Sequence, residues 1–348
     1  MNFLIINSGS SSVRFAVYEK QPTPLLRLAG KVDRINDKDF HFNAQLQLTQ
    51  TDGGVITPQT SLKTGESIAV QLIHWLECQP IFVSVKAVGH RMVHGMNHTD
   101  PQLITPLLLE QLHNSVAFAP QHMPQALEFI HLLHQRQPDL PQVACFDTSF
   151  HQTMPAAARQ LPLPRDEAQL ELRRYGFHGL SCESMVQQLH QLNDPVVCNG
   201  RVILAHLGSG ASLTALKDGK SLDNSMGFTP AGGLMMGTRS GDLDPGVMIY
   251  LMATKQLNTQ QLDVLINQCS GLLGVSGLSS DLRDLLEQAS QNAKAAEAIA
   301  LFCYQVTKWI GSFSAVLGGL DTLVFTGGVG ENLSIIRAKI CHDFWSNE

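Results

Sequence analysis

The chain has 348 residues, of which 44% are hydrophobic and 16% charged, with a formal net charge of −6. That length exceeds one ordinary core and predicts two domains; the acidic balance gives no electrostatic reason for nucleic-acid binding, and no apolar run reaches membrane-spanning length. The cysteines at 78, 145, 182, 198, 269, 303 and 341 are odd in number and form no Cys-x-x-Cys pair, so they read as reduced, buried thiols of a cytoplasmic protein rather than a disulfide framework or zinc site.

The chain enters a strand at once, without the basic start and small-residue cleavage site of a secretory signal. Residues 2–7, 13–18, 25–33 and 41–49 read as strands, the last alternating through Phe42, Ala44, Leu46 and Leu48. Asp52-Gly53-Gly54 marks a turn, and 67–77 has helical spacing, with Ile68, Leu72, Ile73 and Leu76 on one side. A short strand at 85–88 leads into a polar loop, Gly89-His90-Arg91-Met92-Val93-His94-Gly95. Helices follow at 103–118 and 125–135, and a buried strand at 143–146 ends at Asp147, completing an α/β unit over 1–149. A second unit, 150–348, opens with an excursion over 155–175 and a helix over 181–192 that Ser181 caps. Strands 201–207, 211–217 and 220–224 come next, the last two joined at Asp218-Gly219. Residues 225–246 form a glycine-rich loop of a length that is usually functional. A helix over 295–317 closes at Gly318-Gly319, and an apolar strand then runs into Gly327-Gly328-Val329-Gly330-Glu331-Asn332.

The feature that points to chemistry is a turn that occurs twice. Leu4-Ile5-Ile6-Asn7-Ser8-Gly9-Ser10-Ser11-Ser12 and Ile203-Leu204-Ala205-His206-Leu207-Gly208-Ser209-Gly210-Ala211-Ser212 each carry an apolar strand into a Gly/Ser turn and a second strand. Asn7 aligns with His206, Gly9 with Gly208 and Ser10 with Ser209. Such turns offer backbone N–H groups and hydroxyls to phosphate, so the repeat suggests a duplicated domain with a nucleotide in the cleft between the copies. Arg91 and Arg239, each in a glycine-flanked polar loop, supply the guanidinium forks that hold carboxylate or phosphoryl oxygens; alone, either reads better as half of an ion pair, such as Arg239 with Asp242, and it is the two together beside the phosphate turns that favour an anion clamp. Asp147 sits where ligands collect in α/β folds, at the carboxyl end of a strand, although a turn aspartate has the same signature. His178, between Phe177 and Gly179, implies a tight site. His206 and His122 read as ligand contacts, and His90, His94 and His151 as structural.

Together these residues resemble the acetate kinase family, the short-chain carboxylate kinases that include propionate and butyrate kinases. The resemblance rests on the segments above and on Phe146-Asp147-Thr148-Ser149-Phe150-His151, Tyr175-Gly176-Phe177-His178-Gly179, Met226-Gly227-Phe228-Thr229-Pro230 and Gly237-Thr238-Arg239-Ser240-Gly241-Asp242. It implies two duplicated α/β domains of the actin/sugar kinase/Hsp70-like, ribonuclease H-like fold. It also implies ATP/ADP and Mg²⁺ as cofactors, a short-chain carboxylate as substrate, a cytoplasmic homodimer, and no nucleic-acid or membrane partner. By resemblance Asn7 belongs to the metal side, and Ser10, Ser12 and Arg14 to the phosphate side, with Arg14 where the family commonly has lysine. Arg91 and Arg239 hold carboxylate and transferred phosphoryl, Asp147 orients the site, and His178 with Arg239 stabilises the transition state. Val93, Gln121, Phe177 and Pro230 surround the alkyl tail. His206, Leu207, Gly208, Ser209, Gly210, Asp281, Leu282, Arg283, Gly327, Gly328, Val329, Gly330 and Asn332 contact nucleotide. Against the family pattern the chain ends early, at Ile340–Glu348, before a segment with a magnesium-associated glutamate. The expected activity is phosphorylation of acetate by ATP; the alternatives are propionate as acceptor, or nucleotide binding with little turnover. A sugar kinase is disfavoured, because two arginines suit a charged acceptor.

Overall fold

A computed structural model describes residues 1–9, 12–33, 48–49, 55–56, 66–164, 166, 171–192 and 200–345. Ser10, Ser11, most of the expected 41–49 strand, the Asp52-Gly53-Gly54 turn and Cys198 lie outside the described residues. The chain divides into two compact units, Met1–Ser149 and Phe150–Glu348.

In the first unit β1 (Asn2–Ser8), β2 (Ser12–Glu19), β3 (Leu25–Asp33), β4 (Leu48–Thr49), β5 (Val55–Ile56), β6 (Val85–Met92), β7 (Gln102–Leu103) and β8 (Gln142–Phe146) form one sheet, ordered β5-β4-β3-β2-β1-β6-β8-β7. β1, β2 and β3 are an antiparallel meander, while β6 runs parallel to β1 and β8 parallel to β6. Parallel pairing demands long crossovers; these contain the helices Ile68–Glu77 and Met123–Arg136, which pack against each other. Ser67 caps the first, its Oγ accepting from Val70 N at 3.2 Å. The stripe Ile68, Leu72, Ile73 and Leu76 meets Leu4, Ile6, Val13, Phe15, Phe129 and Leu133 in one core. Each such buried side chain contributes about 1.5–3 kcal/mol. Alternation turns Leu4 and Ile6 into this core and leaves Asn7 on the opposite face.

Two expectations change here. Strand β6 continues to Met92, so Arg91 stands on a strand and not in a loop. The polar His90 disguises the strand in sequence, yet it alternates inward with Val88 and Met92. Its Nε2–H donates to Gln142 Oε1 at 2.8 Å, and Gln142 Nε2 donates to Ile130 O at 3.1 Å. Burial pulls the His90 pKa down to about 4, against a smaller upward effect of the Gln142 bond. The expected 103–118 helix begins later, at Pro106–Asn114, because Leu103 belongs to β7 and Thr105 provides the cap; Ser115–Phe118 tightens into a 3₁₀ turn.

The second unit repeats the plan. β9 (Arg201–Leu207), β10 (Ala211–Lys217), β11 (Lys220–Asn224) and β12 (Thr322–Thr326) are ordered β11-β10-β9-β12, with the hairpins antiparallel and β12 parallel to β9. The helix Ala293–Leu317 buries Ile299, Phe302, Val306, Ile310, Phe313 and Leu317 and packs on β10. The helix Gly179–Gln191 joins Cys182 to Val202, Leu204 and Leu216. Its N-cap is His178, not Ser181; Ser181 lies inside the first turn and bonds His206 instead. Within the 155–175 excursion, Ala156–Arg159 forms a short helix and Gln160 bridges to Arg173. Burial of the thiols is uneven: Cys182 and Cys303 are buried, whereas Cys78 and Cys269 are exposed. Among the described residues no helix is long and apolar enough to cross a membrane.

Candidate active site

In the first unit, strand register assembles a basic row on the sheet face opposite the core. β1 pairs Asn7 with Arg14, and β2 pairs Arg14 with Lys31. On the other side β1 pairs Ile6 with His90, bringing Arg91 beside Asn7, and β6 pairs Arg91 with Cys145. Lys31, Arg14 and Arg91 thus lie along one row with Asn7 between the arginines. Lys31 escaped the sequence reading because no motif marks it; the pairing of β2 with β3 alone places it.

Arg91 is held from two sides. Its Nε and Nη2 donate to Asp147 Oδ2 at 2.9 and 2.5 Å, and its Nη1 donates to Asn7 Oδ1 at 2.9 Å. Asp147, just past the end of β8, has a side chain 2% exposed, against 22% for Arg91. The carboxylate is therefore the buried anchor and the guanidinium the group that reaches solvent. Burial lowers the Arg91 pKa, but the charge and hydrogen bonds of Asp147 more than reverse this, and the net shift is upward. Beyond β6, Val93 is buried. Phe118 stacks on His94 at 4.9 Å between centroids, seating the 118–122 segment against this stretch. Gln121 Nε2 is buried with no hydrogen-bond partner among the described residues, an arrangement that costs about 1–3 kcal/mol.

Asn7 Oδ1 accepts from Arg91, which engages one of its two lone pairs. Among the described residues no three His, Cys, Asp or Glu side chains gather to hold an ion. The donor set does not fit a protein-built cage for Mg²⁺, which prefers carboxylates and phosphates.

In the second unit His178 occupies the left-handed region, φ 60°, at the start of its helix, a backbone strain that clusters at functional positions. Its Nδ1 lies 2.8 Å from Ser212 Oγ on β10, and its ring packs on His206 at 4.3 Å between centroids. His206 Nδ1 in turn meets Ser181 Oγ at 2.9 Å. Arg239 Nη1 donates to Pro230 O at 2.8 Å, and the arginine's loop is pinned where Gly237 N donates to Ser209 O at 3.1 Å. Gly210 joins the two groups: a Cβ there would stand 3.5 Å from His178 Nε2 and 3.6 Å from both Nη atoms of Arg239. Asp242 directs its Oδ1 to Gly233 N at 2.7 Å. Behind the site, Phe177 O accepts from His151 Nε2 at 2.8 Å and from Asn224 Nδ2 at 3.3 Å. This fixes the segment that carries His178.

Gly208–Gly210 and Gly327–Gly330 follow the carboxyl ends of β9 and β12. Gly327, at φ +80°, abuts Leu207 O so closely that a Cβ there would stand 2.5 Å from it. Gly330 lies over Ala205 O, and Gly237 over both Ser209 O and Ser280 O. Several donors expected to face phosphate are committed elsewhere. The amides of Gly9 and Gly208 close their own turns onto Ser12 O and Gly210 O. Gly327 N donates to Glu331 Oε1 at 3.1 Å, and Asn332 Nδ2 to Gly328 O at 2.9 Å. Asp281 caps the helix Leu282–Gln288 by accepting from Arg283 N, and it pairs with the exposed Arg283 guanidinium, whose hydrogen bond is the main cause of its lowered pKa. Leu282 is buried in the core. Ser12 and Arg14 lie on β2, and Val329 in the short helix Gly327–Asn332.

Residues 2–346 match the Acetokinase family, and the chain belongs to it. An acetate kinase of Rhodopseudomonas palustris is 43% identical over 346 residues, 97% of this chain and 85% of that protein. One of Brachyspira hyodysenteriae is 40% identical over 345 residues, 98% and 86% of the two chains. Among solved structures, Porphyromonas gingivalis acetate kinase superposes with a TM-score of 0.82 at 38% identity, covering 98% of this chain and 86% of that one. A propionate kinase from Francisella tularensis gives 0.88 at 35% identity, covering 99% and 88%. The fold class expected from the sequence, a mixed α/β protein of the sugar-kinase type with two sheets, is the one observed.

Proposed function

We infer that the chain transfers the γ-phosphoryl group of ATP to a short-chain carboxylate, acetate or its homologue propionate, and runs the reaction in reverse from the acyl phosphate. The observation that carries this reading is the pair of anchored guanidinium groups: Arg91 clamped by Asp147 and Asn7, and Arg239 beside His178 at the Gly210 turn. A carboxylate acceptor has a solution pKa of about 4 and is already ionised at neutral pH. It needs no general base. It needs cations that screen two approaching anions and donors at the transferring group. In this reading Arg91 binds the acceptor carboxylate, with Asp147 as its positioning residue, and Val93, Gln121, Phe177 and Pro230 bound the alkyl tail. His178, held at Nδ1 by Ser212 Oγ, works with Arg239 on the phosphoryl oxygens. The Gly208–Gly210 and Gly327–Gly330 turns of the second unit serve the nucleotide; Ser10, Ser12 and Arg14 serve its terminal phosphates.

The same reading includes a homodimer. The helix Pro245–Lys255 buries none of its residues, and its Ile249 is 69% and Tyr250 66% exposed; apolar groups displayed together on one helix mark association surfaces. A reducing cytoplasm suits the exposed Cys78 and Cys269 thiols. The test is a hydroxylamine-trapping assay with ATP, Mg²⁺ and a panel of short acids. Acyl hydroxamate formation with acetate or propionate is the expected result. Transfer to a sugar hydroxyl, or ATP hydrolysis unchanged by added acid, overturns it.

A further inference from the structure

Away from these clusters, two histidines on neighbouring helices face each other through the same ring atom. His113 is in the helix Pro106–Asn114 and His131 in Met123–Arg136, and their Nε2 atoms lie 3.2 Å apart with ring centroids 5.2 Å apart. The other nitrogen of His113 is fixed: Nδ1 lies 2.7 Å from Leu109 O. A carbonyl only accepts, so Nδ1 carries the proton and Nε2 of neutral His113 presents its lone pair. In the metal-free protein, His131 Nε2–H therefore donates to it.

We propose that His113 and His131 form a two-histidine site for a borderline divalent cation such as Zn²⁺ or Ni²⁺, bridging the two helices on the surface of the first unit. Two Zn–N bonds of about 2.0–2.1 Å meeting at a tetrahedral angle put the nitrogens about 3.3 Å apart, close to the spacing already present. The His113 Nδ1–H···O=C bond is the second-shell contact that metal-bound imidazoles use to hold ring and tautomer. Binding requires that His131 move its proton from Nε2 to Nδ1 through solvent and that both rings turn their Nε2 lone pairs toward one point, so both imidazoles coordinate as neutral ligands. Water completes the shell, because the two imidazoles are the protein ligands. The chemistry is distinct from that of the nucleotide's magnesium, since imidazole selects zinc, nickel and copper over hard oxygen-seeking ions.

The experiment titrates the full chain with Zn²⁺ in a large excess of Mg²⁺, by calorimetry and by thermal melting. One equivalent of Zn²⁺ binds and raises Tm; His113→Gln, at an exposed position, weakens binding by at least roughly tenfold and removes the Tm shift while leaving the metal-free Tm unchanged. His131→Gln does the same. Because the readouts are binding and melting, failure leaves the kinase reading untouched. Zinc binding that persists in both variants assigns the ion to other histidines or to thiols such as the exposed Cys78 and Cys269 and overturns the proposal, as does wild-type protein that binds no Zn²⁺.

Discussion

The two units build one topology and furnish it differently. Each sheet joins an antiparallel hairpin to a parallel strand beside its first strand, and in each the chain turns after that first strand at a glycine, Gly9 or Gly208. In the first unit the position beside Asn7 on the parallel strand is Arg91; in the second, the position paired with His206 is Thr326, the last residue before a helix. The first unit thus carries its cations on strands, where register places Lys31, Arg14 and Arg91 in a line. The second moves its cation onto the Gly237–Gly241 loop and a histidine at a helix start, both gathered around Gly210. Charges on strands form a rigid row; charges on loops have to be pinned individually, as Ser209 O and Pro230 O do here.

The most forceful way to test this contrast is to remove one cation from each unit. Arg91→Ala and Arg239→Ala should each lower kcat/KM for carboxylate phosphorylation by about two orders of magnitude, or about 3 kcal/mol. Arg91→Ala additionally strands the buried Asp147 carboxylate and should lower Tm, whereas Arg239→Ala should leave Tm near wild type. Steady-state kinetics with melting curves check both, and near-normal turnover in a folded variant removes that arginine from the reaction.

A buried histidine ties the stability of the first unit to pH. His90 is buried in the first unit with a pKa lowered from 6.5 to about 4, so between these values the unfolded chain takes up a proton that the native state refuses. Stability conferred by the neutral ring is complete above pH 6.5 and falls as pH drops toward 4, by at most about 3 kcal/mol. Urea unfolding across this range should show that slope, and His90→Gln, which retains a donor for Gln142, should flatten it.

Gly210→Ala probes the space between His178 and Arg239. The added methyl meets them at ordinary contact distances, so the protein should fold normally and lose about 1.4 kcal/mol of transition-state stabilisation, roughly tenfold in kcat/KM. A change in the corresponding turn of the first unit, Gly9→Ala, at the counterpart of Gly208, brings Cβ to 3.2 Å from Ser12 O, a backbone atom; it should disturb the turn itself and appear in Tm. Equal effects of the two on Tm would dissolve the distinction. The smallest effect belongs to Lys31→Gln, at the far end of the basic row: KM for the anionic substrates should rise two- to fivefold, about 0.5–1 kcal/mol, with kcat unchanged and a shallower dependence on ionic strength.

The sequence by itself determined the duplicated hairpins, the helical stripes at 68–77 and 293–317, and the identity of Arg91, Asp147, His178 and Arg239 as the residues to follow, because period, glycine placement and residue chemistry are local properties. Tertiary structure decided what each of them does to its neighbours. Which group Asp147 holds depends on which strand lies beside β8, and that strand brings Arg91 to 2.5 Å from its Oδ2. His90 looked like part of a polar loop until Gln142 and Ile130 supplied the buried partners that let it extend a strand. Lys31 carried no motif, and Gly208 read as an open phosphate amide although its N–H closes its own turn. In each case the deciding partner lies on another strand, on another helix or across a turn, and hydrogen bonds and Coulomb interactions are set by distances in space that residue order does not contain.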